Sequence, residues 1–314
     1  MSDILGITFP IYAAVVIGYI VVRIGWFKPQ DMGVLGQYVL NLALPALLFN
    51  AVAGRDLGEV LRPGYLLVMA VGGLATLIAA WLWFGATAPD RPRRALAVMG
   101  ASCPNSGFVG YPVLLLVLPD LAGVILALNF LVENVLIIPI CLILMDLAEG
   151  RAGVSPLRRA GHVLLGLLKR PMVIGLLLGL AVSASGLTIP APVTRVMGML
   201  AASAAALSLM VIGGALVGLP MKGNKTLAAQ IAAAKLLLHP GMVALAALAL
   251  PLLGLAALSE EMRLAAILSA AMPMFGIYTV LAQERGLGGA ASIALLVATS
   301  AAFFSLSALL FWLT

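Results

Sequence analysis

The sequence predicts an all-α polytopic membrane protein, with ten transmembrane helices in two inverted five-helix repeats and broken helices at the fourth and ninth positions. Three observations predict it. Of 314 residues, 63% are hydrophobic and 10% charged, with a mean hydropathy of +1.16; a soluble domain carries roughly 25% charged residues. At ~20 apolar residues per crossing, ten segments qualify, at about 4–22, 34–53, 64–86, 95–118, 121–144, 163–187, 193–218, 227–251, 262–282 and 289–313. The longest connection then divides them five and five, and the fourth and ninth carry proline and glycine near their middles.

An odd number of spans per half makes the halves insert with opposite orientation, which is an inverted repeat. Residues 1–148 form the first repeat and 162–314 the second, joined by a basic cytoplasmic linker at 149–161 that holds Gly150, Gly153 and Pro156. Charge orients the spans. Thirteen of the 18 Lys and Arg residues fall in odd-numbered loops, and four (Arg55, Arg62, Arg195, Arg263) in even ones. The positive-inside rule places the odd loops in the cytoplasm and both termini outside, as in a multi-pass protein of the inner (plasma) membrane. The pI of about 9.6 therefore reflects topology; the lipid bilayer is the expected partner and nucleic acid is not. Asp3 replaces a basic n-region and the apolar run continues to Val22, so no cleavable signal is expected.

Taken in order, the second span places Asn41 and Pro45 one turn apart. The Asn41 amide either bonds a carbonyl released by the proline or reaches a ligand. The fourth span contains Cys103-Pro104-Asn105-Ser106-Gly107-Phe108-Val109-Gly110-Tyr111-Pro112. Pro104 and Pro112 each remove a backbone donor, and Gly107 and Gly110 loosen the chain between them. Unwound backbone at membrane depth is tolerated only where protein buries it or water reaches it. Asn105 and Ser106 are the candidates for direct contact there. In the fifth span Glu133 lies near mid-depth, with Asn129 one turn earlier and Asn134 adjacent. Glu133 reads as a proton carrier or as an ion-pair partner, whereas Asp146 reads as a solvated boundary charge.

Gly175–Gly179 in the sixth span and Gly214–Gly218 in the seventh are small-xxx-small patterns, read as close helix packing. Lys235 lies about nine residues into the eighth span, roughly 13 Å along a helix. Lysine near the bilayer centre costs about 2.5–3.5 kcal/mol on insertion scales. It either stabilises the carboxylate of an anionic ligand, pairs with Glu133, or bonds carbonyls freed by the broken spans. His239, one turn on and on the same face, is a proton relay or a packing histidine. The ninth span runs Ala271-Met272-Pro273-Met274-Phe275-Gly276-Ile277-Tyr278-Thr279. Tyr278 and Thr279 offer hydroxyls, while Gln283 and Glu284 meet water at its end. Trp26, Trp81, Trp83 and Trp312 read as interfacial anchors.

Interrupted spans at matching positions of two halves point to a midplane binding site, where half-helix N-termini favour a carboxylate. Pro104, Asn105, Ser106, Gly107, Pro273, Met274, Tyr278, Lys235 and Asn41 are the substrate-binding candidates, and Glu133, Asn129 and His239 the coupling candidates. Cys103 and Cys141 both fall inside spans and lack metal-ligand spacing, so neither a disulfide nor a metal site is expected, and no phosphate loop or catalytic triad occurs. Enzyme and ATP-driven readings are therefore set aside, and no cofactor is expected. A membrane sensor is the reading from another class. It is disfavoured by the lack of an extramembrane domain.

Asn41-Leu-Ala-Leu-Pro45-Ala-Leu-Leu-Phe49, Pro104 to Pro112, Lys235-Leu-Leu-Leu-His239-Pro240 and Met272-Pro273 through Ala282 together resemble the auxin efflux carrier family, whose bacterial members include malonate and related carboxylate permeases. The resemblance spans essentially the whole chain. It implies a fold shared with bile-acid symporter-like proteins, with broken spans 4 and 9 crossing at the substrate site. It also implies a scaffold of spans 1, 2, 6 and 7, often a homodimer contact, and a moving transport unit of spans 3–5 and 8–10. The seventh span, at Ala201-Ala-Ser203-Ala-Ala-Ala206-Leu207, departs from this by lacking a proline to match Pro45. The expected function is secondary transport of small organic anions, auxin- or malonate-like mono- or dicarboxylates, by elevator-type alternating access. Proton and sodium coupling both stay open. The alternative, a sodium-coupled bile-acid-like symporter, requires acidic and carbonyl ligands at the crossing, where Glu133 is the one evident carboxylate.

Overall fold

The computed structural model describes residues 2–150, 166, 168–219 and 221–313. Most of the basic linker, with Arg151, Arg158 and Arg159, lies outside the described residues, as do His162 and the start of the sixth apolar segment. Among the described residues every regular element is a helix. Six helices are long and apolar enough to cross a membrane: Pro29–Ala53, Leu57–Thr87, Ala122–Ala148, Ala191–Ala215, Lys225–Leu253 and Gly288–Trp312. They correspond to the second, third, fifth, seventh, eighth and tenth apolar segments of the sequence. The remaining segments are helical over shorter stretches. The first is apolar over Phe9–Arg23 and the sixth over Pro171–Ser185. The fourth divides into Arg91–Ser102 and Ser106–Val117, and the ninth into Glu260–Ala271 and Ile277–Gln283.

We number the helices α1 (Ser2–Arg23), α2 (Pro29–Ala53), α3 (Pro63–Thr87), α4 (Arg91–Ser102), α5 (Ser106–Val117), α6 (Ala122–Ala148), α7 (Pro171–Ser185), α8 (Ala191–Ala215), α9 (Lys225–Leu253), α10 (Glu260–Ala271), α11 (Ile277–Gln283) and α12 (Gly288–Leu313). Polar side chains start several of them. Asp90 accepts from Arg93 N, Asn224 from Leu227 N and Ser259 from Met262 N, so orphan N-terminal donors are capped at α4, α9 and α10.

Four helices contain a five-residue π turn: Val39–Ala43 in α2, Ser106–Gly110 in α5, Glu133–Ile137 in α6 and Ala234–Leu238 in α9. One chemistry produces them all. A proline stands two residues after each turn, at Pro45, Pro112, Pro139 and Pro240. Proline has no N–H to donate and its ring collides with the carbonyl four residues back. The preceding turn widens instead, with bonds running back five residues: Leu44 N to Val39 O, Ile138 N to Glu133 O and His239 N to Ala234 O. Asn41, Ser106, Glu133, Asn134 and Lys235 all sit in these widened turns.

The chain resolves into two compact units. The first comprises Met1–Arg62, Gly107–Leu128 and Leu165–Gly218. Within it glycines let backbones touch. A Cβ at Gly18 would strike the Met210 backbone, one at Gly213 that of Val15, one at Gly175 that of Pro45 and one at Gly179 that of Phe49. Without a hydrophobic drive between helices in lipid, such close approach is a main source of adhesion. The Gly214–Gly218 pattern is corrected here. Gly214 packs on Met32, but Gly218 lies beyond α8 at φ +78 with nothing near it, so it turns the chain and packs no helix. Ser183 donates to Arg55 O (2.6 Å) and Arg55 Nη2 to Asp120 O (2.5 Å).

The second unit comprises Pro63–Ser106, Asn129–Leu164 and Leu219–Thr314. α9 packs against α3, α10 and α12, and α4 against α3 and α6. Gly72 meets Val243, and Gly73 meets Ile137. Arg94 donates twice to Trp81 O (3.0 and 2.7 Å) and lies 3.6 Å over the Trp81 ring. Asp146, expected to be a solvated boundary charge, is 30% exposed near the end of α6 and is also ion-paired. Arg285 reaches it at 3.4 Å and Glu149 at 2.6 Å, because the end of α11 lies beside the end of α6. Gln283 is exposed and Glu284 is 63% exposed.

Gly175→Leu is expected to destabilise the protein by about 1–3 kcal/mol, the usual cost of overpacking, because the neighbouring atoms are backbone and cannot swing aside. Gly33→Ala, which meets nothing within 4 Å, is the matched control. Thermal unfolding in detergent reads the difference; equal melting temperatures would show that α7 does not need this close contact.

Candidate functional site

Both interruptions follow from one local rule. The residue before proline is pushed out of the helical region by the proline Cδ. α4 accordingly ends at Ser102, and Cys103, before Pro104, is extended at φ −104, ψ 101. α10 ends at Ala271, and Met272, before Pro273, is extended at φ −63, ψ 148. Two stretches of backbone are thereby left without helical partners inside an apolar protein, where each unsatisfied group costs several kcal/mol.

The two stretches satisfy each other. Pro104 and Met274 face one another as an antiparallel bridge. Asn105 N donates to Pro273 O at 2.8 Å, and Phe275 N donates to Cys103 O at 3.3 Å. Pro104 is buried and Met274 fully so, while Asn105 and Ser106 are 4% and 5% exposed. This pairing lies wholly within the second unit.

Lys235 stands at the edge of the crossing with 0% exposure. Its ammonium donates to Ala270 O at 2.5 Å and lies 2.9 Å from His239 Nδ1. Ala270 O is one of the last carbonyls of α10, whose helical donor would have been residue 274, and Met274 is now in the crossing. The lysine therefore caps a helix C-terminus, where a cation is favoured by the dipole. An ammonium can only donate, so His239 Nδ1 accepts. Among the described residues no ion pair joins Lys235 to Glu133. Of the two intramolecular partners drawn from the sequence for Lys235, Glu133 and a carbonyl freed by a broken span, the geometry contains the carbonyl.

Glu133 is 7% exposed and accepts a hydrogen bond from Ser106 Oγ, which ties the widened turn of α6 to the start of α5. Asn134 donates to Phe130 O at 3.0 Å. Asn129 is occupied elsewhere. Tyr65 OH donates to Asn129 Oδ1 at 2.7 Å, Asn129 Nδ2 donates to Ser269 Oγ at 2.8 Å, and Tyr65 OH and Ser269 Oγ are 3.5 Å apart. This buried triangle binds α10, just ahead of its break, to α3 and α6. Tyr65 and Ser269 were not among the sequence candidates. The available signal was a serine four residues before Pro273 in an otherwise apolar run, with Asn129 needing a partner.

Tyr278 is fully buried, and its hydroxyl has no partner among the described residues; it stands beside Gly100 of α4. Thr279 Oγ1 donates to Gly276 O at 2.9 Å. Asn41 and Gly107 belong to the first unit, Asn41 exposed in its widened turn and Gly107 half-buried against Leu44. Among the described residues no group of three or more His, Cys, Asp or Glu side chains could hold a metal ion.

A buried polar group that loses its partner costs about 1–3 kcal/mol. Asn129→Leu, which leaves Tyr65 and Ser269 only their long 3.5 Å approach to each other, is expected to lower the melting temperature more than Tyr65→Phe does, since Asn129 and Ser269 keep their bond in that variant. A double-mutant cycle between positions 65 and 129, read by thermal unfolding, should return a coupling energy above about 0.5 kcal/mol; additivity would show that the bond contributes nothing.

A membrane transport protein family model matches residues 3–312. Over 252 residues the chain is 28% identical to a protein of Rhizobium meliloti (strain 1021) called "Putative malonate transporter", covering 78% of this chain and 77% of that protein. Over 103 residues it is 34% identical to an "Uncharacterized transporter" of Methanothermobacter thermautotrophicus, covering 32% of this chain and 33% of that protein. With the match running from near one end to the other, on a helical multi-pass chain, the protein belongs to the membrane transport protein family, that of the auxin efflux carriers.

Proposed function

We propose that the protein is a secondary transporter of small organic anions, of which malonate is the first to test, working by elevator-type alternating access in the inner membrane. The reading takes the ten apolar segments as ten spans in two inverted repeats, 1–148 and 162–314, with both termini extracytoplasmic. Spans 3–5 and 8–10 form the moving part. Spans 1, 2, 6 and 7 form a scaffold and a homodimer contact. The name of the Rhizobium relative supports the choice of malonate.

One observation carries the proposal: the antiparallel pairing of Cys103–Asn105 with Pro273–Phe275, with Lys235 held at its edge. Interrupted helices meeting in mid-protein are how many secondary transporters build a substrate site. Lys235 is the one buried lysine or arginine among the described residues. In the resting arrangement its ammonium bonds a neutral carbonyl. A carboxylate is a better acceptor, since charge-assisted hydrogen bonds are roughly twice as strong as neutral ones. An arriving anion therefore draws Lys235 from Ala270 O and releases the end of α10. Asn105 and Ser106 on one side, with Met274 and Tyr278 on the other, line the remainder of the site within the second unit.

Glu133 is the coupling group. Ionised, its carboxylate accepts from Ser106; protonated, it gives up part of that acceptor capacity, so proton binding loosens the start of α5. Coupling by sodium would instead use Glu133 with carbonyls of its widened turn.

Lys235→Ala is expected to reduce malonate uptake into proteoliposomes at least tenfold, with the variant still monodisperse and helical. Uptake at the wild-type rate would remove Lys235 from the mechanism. Glu133→Gln is expected to abolish stimulation of uptake by a pH gradient, while exchange of malonate across the membrane continues. Unchanged stimulation would leave Glu133 a structural acceptor for Ser106.

A further inference from the structure

Cys103 adjoins the proposed substrate groups and Cys141 lies outside them, and the two meet beside the crossing. Their sulfurs are 3.8 Å apart, both thiols are free, and the two residues are 1% and 0% exposed. They come from different elements. Cys103 follows the last residue of α4 in extended backbone, and its carbonyl accepts from Phe275 N. Cys141 lies in α6, two residues after Pro139 and past the widened turn that holds Glu133. Disulfide sulfurs stand about 2.05 Å apart, so closure requires an approach of roughly 2 Å. Cys103 has extended rather than helical dihedrals, so its position is set by two hydrogen bonds, Cys103 N to Met99 O and Phe275 N to Cys103 O, and not by a regular helix.

We propose that Cys103 and Cys141 are a dithiol modification site that closes to a disulfide under a hydroperoxide oxidant and, once closed, pins the crossing. In the first step one sulfur attacks a peroxide oxygen. The O–O bond breaks, a sulfenic acid forms, and one water leaves when the oxidant is hydrogen peroxide. In the second step the other sulfur attacks the sulfenic sulfur, and a second water leaves. Both thiols lose a hydrogen and one S–S bond forms; the peroxide is reduced to two waters. A small thiol reverses the reaction by exchange.

The closed form binds Cys103 covalently to α6, 38 positions along the chain. Both hydrogen bonds of the crossing involve residues within two positions of Cys103, so opening of that backbone is suppressed. No substrate is needed for the effect.

The test uses the full chain in lipid nanodiscs, treated with hydrogen peroxide and then alkylated after denaturation. Intact mass is expected to show the loss of two hydrogens and no alkylation. Amide hydrogen exchange at Asn105 and Phe275 is expected to slow at least tenfold and to recover after reduction. Cys141→Ala, which leaves the crossing backbone untouched, should form no intramolecular disulfide by mass and keep fast exchange under peroxide. Two alkylated thiols in the oxidised wild type would overturn the proposal. So would an unchanged exchange rate at these two amides in protein shown by mass to carry the bond.

Discussion

A backbone amide released inside an apolar protein has nowhere to turn but to another piece of the same chain, and the architecture of the second unit follows from that constraint. Pro104 and Pro273 each end a helix two residues early, because the residue ahead of a proline cannot stay helical. The freed groups find one another across the molecule, through Asn105 N to Pro273 O and Phe275 N to Cys103 O. A carbonyl left over at the end of α10 is taken by Lys235. In water each of these groups would have been solvated and no crossing would be required. In an apolar interior the pairing is the cheapest arrangement available to two broken helices.

The same proline chemistry, in milder form, sets the positions of the polar side chains. Pro45, Pro112, Pro139 and Pro240 keep their helices continuous but widen the turn before them. A widened turn shifts side chains off the regular helical face and leaves carbonyls under-used. Glu133 and Lys235 thus occupy places where the local backbone is already irregular. π turns recur at functional sites for this reason.

What could be read from the sequence divides along the same line. The apolar segments, the prolines that interrupt the fourth and ninth of them, and the anomaly of Lys235 are local features, visible without any tertiary information. Pro139 carries the same local signal as Pro45 and Pro240, because each proline displaces the carbonyl four residues back and widens the turn before it. Other features depend on residues far apart in the chain. Ser269 and Tyr65 hold Asn129 across 140 and 64 positions. The ion pair that Asp146 makes was out of view because Arg285 lies 139 positions away. Gly218 looked like half of a packing motif because a pattern of spacing does not reveal where a helix ends.

Lys235 and Glu133, the two ionisable groups of opposite formal charge buried in the second unit, have a consequence for energetics under a membrane potential. Moving one elementary charge through 100 mV takes about 2.3 kcal/mol. Counted at formal charge, with Glu133 ionised, the lysine and the glutamate cancel, so the buried interior of that unit feels no net pull from the field. On the transport reading proposed above, voltage then acts on the bound anion and on any proton taken up by Glu133.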